Sequence, residues 1–421
     1  MATQLLSAQT SDPDQFIDRR NSPYSVYGLG DLFDQGFAHS RGSANITSAF
    51  KSPFNVNPQN PASYGDFIIT NLELGFHFNG FELSTTSETL SASDANISYL
   101  AMGFPIAKNL GFAIGVLPIS RVSYSIFEDS ETPLGLNRTL FSGDGDVYRT
   151  FYGLGYSYGN RRYSVSAGFN YNFIFGNVDR TIDSFLPEET NFLRTRNRDE
   201  RSYRGGHFQY GFQFLVRPKA DANTIIVGGV SGDIAPSLDV ELTDFWERTA
   251  GGGLVIETQQ TSSENEIDLP GRITFGLAIQ NSNIWALGVE IERSTWTNFT
   301  GFRLENDFRD LTRYSMGFMI TPDVKAFNNY LKTIQYRAGV YYNTGFLTVS
   351  DTEITELGFT FGFGLPVRRS NARLPNYSRL NLSFDIGQRG TTDNGLIQEN
   401  FIKATFGITL NDRWFVQKKY D

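Results

Sequence analysis

The feature that most constrains this chain is an alternation of apolar and polar residues with a period of two, repeated along most of its length. In 379–386, Leu380, Leu382, Phe384 and Ile386 fall on one side of an extended chain, and Arg379, Asn381, Ser383 and Asp385 on the other. The stretch 402–411 sets Ile402, Ala404, Phe406, Ile408 and Leu410 against Lys403, Thr405, Gly407, Thr409 and Asn411. In 163–173, Tyr163, Val165, Ala167, Phe169, Tyr171 and Phe173 oppose Ser and Gly at 164–168 and Asn170 and Asn172. In 357–365, Leu357, Phe359, Phe361, Phe363 and Leu365 oppose three glycines and a threonine. Successive side chains of a strand point to opposite faces, so each run reads as a strand with one apolar face. Similar runs lie near 70–87, 94–106, 109–126, 146–158, 201–217, 223–240, 267–280, 283–296, 309–321 and 333–349, which makes fourteen strands in all.

The connections alternate as well. Tight links fall around Ala107-Lys108 and within 159–162, 219–223 and 281–283, with longer ones at the same end near 322–332 and 367–375. Long polar loops are expected at the other end, over 127–145, 181–200 and 241–266. Short turns at one end, long loops at the other and an even strand number are the organisation of an outer-membrane barrel. Closure is required in lipid, where each unpaired backbone group costs several kcal/mol. Fourteen strands enclose more space than small side chains can fill, so the large apolar side chains are placed on the outside. Trp285 and Trp414 fall at the short-turn end and Trp246 and Trp296 at the long-loop end, where interfacial belts favour Trp. Asn79-Gly80 is a hairpin signal, read here as a bulge inside one long first strand. The expected fold class is all-β: a 14-stranded antiparallel transmembrane β-barrel spanning 67–415, with 416–421 as a periplasmic tail.

Composition agrees and excludes several functions. Phe is 37, Tyr 20 and Gly 41, with only 19% charged residues, which suits many strands and turns. No apolar run is long enough for a transmembrane helix. Cysteine is absent, so disulfides, Cys-zinc sites and thiol catalysis are excluded. The net charge of -9 argues against nucleic acid. His39, His77 and His207 are the histidines, and no nucleophile motif accompanies them, so no enzyme, catalytic residue, metal site or cofactor is expected. Ser142–Tyr148 has the look of a calcium-loop fragment without the remaining ligands and reads as a surface turn.

The first 66 residues break the pattern. Residues 1–10 read either as the remnant of a secretory signal or as a disordered arm. Residues 11–66 mix Gly, Ser and Asn with Tyr24, Tyr27, Leu29, Phe33, Phe37, Phe50 and Phe54, too many apolar groups for a solvated linker and no period for a long helix or strand. The lumen offers such a segment something to pack against, so it reads as a plug, the alternative being a periplasmic arm that orders on a partner. Asn60 is placed to cap a turn with Pro61 at its first position, and Asn60-Pro61-Ala62-Ser63 reads as a stiff corner from plug to wall at the short-turn end.

A plug ending in Asn-Pro-Ala and followed by fourteen strands resembles the FadL-type outer-membrane transporters. The segment from Tyr24 to Phe50, with "NPQNPASY" after it, resembles the version of that family found in Bacteroidota. The resemblance implies passive uptake of hydrophobic, fatty-acid-like molecules, with the plug as a hatch and a sideways exit where the third strand kinks. Pro118 lies mid-strand in "AIGVLPISRVSY", and Leu117, Pro118 and Ile119 are the candidate lateral opening, a plain bulge being the alternative. Tyr27, Leu29, Phe33, Phe37, Phe50 and Phe54 are candidate linings of a ligand path. The lumen face carries Arg149, Arg272, Glu290, Glu292, Arg337, Arg379, Asp385 and Lys403, expected to pair with each other or anchor the plug, the alternative being a carboxylate headgroup site. The partners expected are the outer-membrane bilayer of a Gram-negative cell, a hydrophobic ligand, and other outer-membrane or periplasmic proteins, with both termini periplasmic. Three functions follow in order: hydrophobic-solute uptake, a non-transporting accessory barrel in a larger secretion or assembly complex, and a general porin.

Overall fold

The computed structural model of the protein describes residues 22–86, 88–133, 135–185, 194–219, 223–250, 254–281, 284–301, 308–326, 328–367 and 378–412. The expectations for 1–10, for 416–421, for Trp414 and for the location of the termini concern residues outside these.

Fourteen antiparallel strands form a closed ring. They are β1 (Thr70–Ser84), β2 (Thr89–Ala107), β3 (Leu110–Thr132), β4 (Gly135–Gly159), β5 (Tyr163–Phe185), β6 (Arg194–Val216), β7 (Thr224–Asp233 continued by Ser237–Ala250), β8 (Leu254–Asp268 continued by Arg272–Asn281), β9 (Trp285–Ser294), β10 (Leu311–Ile320), β11 (Gln335–Asn343), β12 (Glu356–Pro366), β13 (Arg379–Arg389) and β14 (Gln398–Asp412). Each strand pairs with its sequence neighbours, and β14 closes on β1 from Gln398↔Ser84 to Asp412↔Thr70. Closure of the last strand on the first leaves neither of them a free edge against lipid, where no water is present to satisfy the backbone.

The alternation places its apolar half outside. Tyr156, Phe169, Phe212, Leu277, Val289, Met316, Phe359 and Ile402 are among the large side chains exposed on the outer surface. Such a belt is stable only against lipid. The polar half turns inward, where Asn170, Gln209, Gln213, Glu290 and Asn381 are buried.

The expected long loops are corrected. Over 127–132, 135–145, 181–185, 194–200, 241–250 and 254–266 the chain is strand, the residues between 185 and 194 and between 250 and 254 lying outside the described set: β3 to β8 continue beyond the belt as a six-stranded sheet. Both faces of that extension meet water or polar neighbours, so it needs no alternation and carries no period-two signal. Ser142–Tyr148 accordingly lies within β4 and is not a turn. β1 runs unbroken through Asn79-Gly80, and the register shift against β2 falls between Gly75 and Phe76. Trp246 stands in the upper part of β7, well above the belt, and Trp296 is buried inside, stacked on Phe346 at 4.1 Å between ring centroids. Neither is an interfacial anchor. Trp285 is half-buried at the short-turn end.

Residues 22–67 lie within the ring. They enter at the long-loop end, where the Tyr24 hydroxyl donates to the Ile397 carbonyl at 2.6 Å, and descend to the short-turn end, where Phe54 accepts from Asn411 at 2.9 Å. Their regular structure is short: a 3-10 turn Pro23–Val26, an extended pair Asp31–Leu32, one helical turn Ala38–Arg41 and a 3-10 turn Pro61–Asp66. The aromatic residues of the segment seal the long-loop end. Tyr24 and Tyr27 pack with Trp296, Phe346, Leu347, Leu396 and Ile397 from the loops between β9 and β10, β11 and β12, and β13 and β14.

Candidate functional site

The inner segment and the wall that grips it form the site. At its base Asn60 caps the turn Pro61–Asp66: its Oδ1 accepts from the Ala62 amide at 3.1 Å, and Pro61 takes the first turn position, where no amide partner is needed. Asn60 also donates to the Ser48 carbonyl at 2.7 Å, tying the corner to the segment above it. The corner sits close to the backbone of β4 to β6 near the short turns. A side chain at Gly168 would run into the Pro61 carbonyl, so glycine is required there.

Higher up, inward-facing polar residues complete backbone groups of a segment too irregular to satisfy its own. Glu290 accepts from the Thr47 and Ser48 amides at 3.0 and 2.7 Å. Glu73 accepts from the Val56 amide at 2.6 Å and meets the His39 ring at 3.2 Å. Thr360 accepts from the Ala44 amide at 2.8 Å. Asn170, Gln209 and Gln213 donate to the Pro58, Gln59 and Ser48 carbonyls at 3.1, 3.1 and 2.9 Å. Two carboxylates of the segment are held by arginines of the wall: Asp34 by Arg313 and Asp31 by Arg389, each at 2.6 Å. Arg41, on the segment, donates to its own Asp34 and Gly36 carbonyls at 2.7 and 2.8 Å and to Thr405 at 3.0 Å. A buried group left without such a partner costs about 1–3 kcal/mol, so this set fixes the segment's path.

One part of the wall is unpaired. The β2–β3 ladder runs from Ala107↔Leu110 to Leu100↔Val116 and stops there, although β3 continues to Thr132 and β2 begins at Thr89. The stop coincides with Leu117-Pro118-Ile119, where the register against β4 also shifts. Pro118 cannot donate to a ladder. The freed carbonyls are met from inside: Phe33 donates its amide to Ile119 at 2.9 Å and Gln35 its side chain to Pro118 at 3.0 Å. Asp31 and Leu32 pair with Arg121 and Ser120 as a short strand. Arg121 then bridges the unpaired region through Asp94 of β2 at 2.7 Å and Asp146 of β4 at 2.6 Å. The extra residue of this bulge exchanges the faces of β3. Below it Ala113 and Leu117 are buried; above it Ser120 and Val122 are, while the Arg121 side chain still borders an inner cavity with Asp34, His77 and Arg313.

The candidate residues divide as follows. Among the described residues, Glu290 is the one of the eight lumen charges that bonds the inner segment directly. Arg272 pairs with Asp233 at 2.7 Å and Glu292 at 3.7 Å, Lys403 with Glu356 at 3.8 Å, and Asp385 accepts from Tyr341 at 2.9 Å. Arg337 and Arg379 share Gln335, and Arg337 also reaches Asn381. Arg149 is buried with two guanidinium nitrogens unpartnered. It lines a cavity of about 240 Å³ with Leu29, Phe33, Ile119, Asp233, Arg272, Glu290 and Arg313. Phe50 and Phe54 line a second cavity, of about 120 Å³, at the short-turn end. Tyr27 and Phe37 line neither: Tyr27 belongs to the seal above, and Phe37 stacks on Tyr99 at 3.9 Å. Sequence reasoning missed Arg313, Arg389, Glu73, Asp31, Asp34 and the Arg121–Asp94 bridge. Arg313 and Glu73 alternate with apolar residues and were legible as inward-facing; Arg389 lies beyond the end of its alternating run.

Comparison with known proteins gives a family and a fold. A family described as BamG matches residues 13–421. No curated protein matches the chain. Among solved structures, the Pseudomonas putida toluene transporter TodX is similar with a TM-score of 0.59 at 15% identity, over 91% of this chain and 100% of that one. A Pseudomonas aeruginosa FadL homologue has a TM-score of 0.58 at 12% identity, over 91% and 99%. The Ralstonia pickettii toluene transporter TbuX has 0.54 at 13%, over 90% and 98%. At these identities the likeness is one of fold.

Proposed function

The chain belongs to the BamG family, and on that premise we propose that it works as a closed, non-conducting accessory barrel of a larger outer-membrane assembly. The observation that carries this reading is the closure of the lumen. The inner segment is bonded to the wall along its descent, by Arg389 and Arg313 high in the ring, Glu290 and Thr360 in the middle and Asn170 and Asn411 below. The long-loop end is sealed by aromatic packing. The cavity beneath that seal is edged by both apolar and ionised groups, among them Asp31, Asp34, Arg149, Arg272 and Lys403. An apolar solute entering it would desolvate charges without pairing them, which is unfavourable. A membrane barrel closed in this way acts through its surfaces.

A second reading keeps passive uptake of a hydrophobic solute, and one observation favours it: the wall is unpaired between β2 and β3 at Leu117-Pro118-Ile119, with inner residues beside it. On that reading, replacing Pro118 or filling the gap with bulky side chains slows uptake. The two separate in one experiment. The barrel is extracted gently from native membranes, and bound lipids and proteins are both identified by mass spectrometry. The accessory reading expects stoichiometric envelope proteins, no bound amphiphile and no permeation defect on gene deletion. An isolated barrel carrying an amphiphile, with a permeation defect on deletion, overturns it in favour of uptake.

A further inference from the structure

We propose that the free edge of β8 over residues 255–266 is a docking edge for an extended, basic segment of a partner protein, which adds to the sheet as one more strand. This deepens the accessory reading and rests on it. β7 and β8 form a hairpin that stands above the apolar belt, paired from Asp268↔Ser237 upward. On its other side β8 meets β9 only through Arg272–Asn281. Above that, among the described residues, β8 has no strand partner, and each residue of 255–266 is exposed. Half of the amides and carbonyls of such a strand point sideways and are unpaired, which is a template for strand addition. Natural edges of this length are commonly blunted by Lys, Pro or a bulge along their length. β8 has no Lys, Arg or Pro in Leu254–Asp268, and its one register shift lies at the tip, between Val255 and Glu257.

The charge pattern says what kind of strand fits. Residues 237–268 hold eight carboxylates against one arginine, Arg248, a net charge of -7 within a chain of -9. On one face Glu241 stands directly opposite Glu264, and Asp239 opposite Glu266. Like charges in direct cross-strand register are destabilising. Neither Glu241 nor Glu264 has an ion pair among the described residues. An added strand with Lys or Arg at alternate positions would bring cations beside Glu264 and Glu266, and its backbone would meet the free amides and carbonyls. Val255 and Ile256, 52% and 57% exposed at the tip, offer apolar contact to the same segment.

The test uses the full barrel in detergent and two fluorescent synthetic peptides, one alternating Lys and Thr, the other Glu and Thr. Binding is read by anisotropy on the native protein, on the double reversal Glu264→Lys with Glu266→Lys, and on Thr261→Pro and Ser262→Pro separately. Of two adjacent residues one faces β7 and the other the free edge, so one proline variant removes an edge amide while leaving the hairpin ladder whole. Heat-modifiable gel mobility checks that each variant is a folded barrel. Saturable binding of the Lys peptide is expected, weakened at least tenfold by the reversal and by one proline, with no binding of the Glu peptide. No binding of the Lys peptide overturns the proposal. So does binding indifferent to both prolines, which means that charge alone attracts the peptide and the carboxylates merely guard the edge. A folded edge variant that still co-purifies with its native envelope partners overturns the docking edge and leaves the accessory reading standing.

Discussion

At the scale of single residues, Glu290 holds more of the inner segment than any other side chain of the wall that sequence pointed to. Its carboxylate accepts two buried amides, from Thr47 and Ser48. Glu290→Ala removes the one oxygen, Oε2, that accepts both amides, at about 1–3 kcal/mol for each buried donor left unpaired. The expected result is a lower thermal midpoint and trypsin cleavage after Lys51, with Glu290→Gln much milder because its carbonyl oxygen can take the place of Oε2 and accept both amides. The Arg313–Asp34 pair makes a second case. Arg313→Ala leaves Asp34 without its cation, and the loss should fall at the lower end of roughly 3–5 kcal/mol because the adjoining cavity gives the pair access to water. Thermal unfolding with a double-mutant cycle against Asp34→Ala measures it; a coupling near zero would show the pair to be incidental. A backbone contact gives the third. At Gly229 a side chain would meet the Ser48 carbonyl, so Gly229→Leu should displace the segment as Glu290→Ala does, by steric conflict and without removing a polar side chain.

At the scale of elements, the strands through the belt were legible and those above it were not. Alternation marks a strand only where its two faces meet different surroundings. Between lipid and lumen they do, and β12, β13 and β14 lie where the alternation of 357–365, 379–386 and 402–411 places them. Above the belt they do not, so the extensions of β3 to β8 look like polar loop. The bulge at Pro118-Ile119 shows a second limit. Proline announces a break, but one inserted residue exchanges the buried face beyond it, from Leu117 below to Ser120 and Val122 above. The elements differ in what they support. Replacing 239–266 by an Asn-Gly turn between Leu238 and Ile267 should leave a folded, heat-modifiable barrel, because the hairpin rises from the wall and contributes nothing to its closure. Loss of folding would mean that the extended sheet belongs to the barrel's core.

At the scale of the whole molecule, a closed ring containing a bonded segment should conduct almost nothing. In planar bilayers the intact protein is expected to be near silent, and deletion of residues 22–58 to give discrete conductance steps. Steady porin-like steps from the intact protein would refute a closed lumen. The order of events follows from the same geometry. Tyr24 bonds Ile397, and Arg389 holds Asp31, so the segment reaches its place only once the last strands have joined the first. By itself the sequence determined the strand number, the outward apolar face, the aromatic segment that must be buried somewhere and the capped corner at Asn60, because each depends on residues close together in the chain. Only the tertiary structure decided which arginine meets which aspartate, where β2 and β3 part, and which edge stays free. Those depend on a register that closes the ring, and on partners hundreds of positions apart that no local pattern encodes.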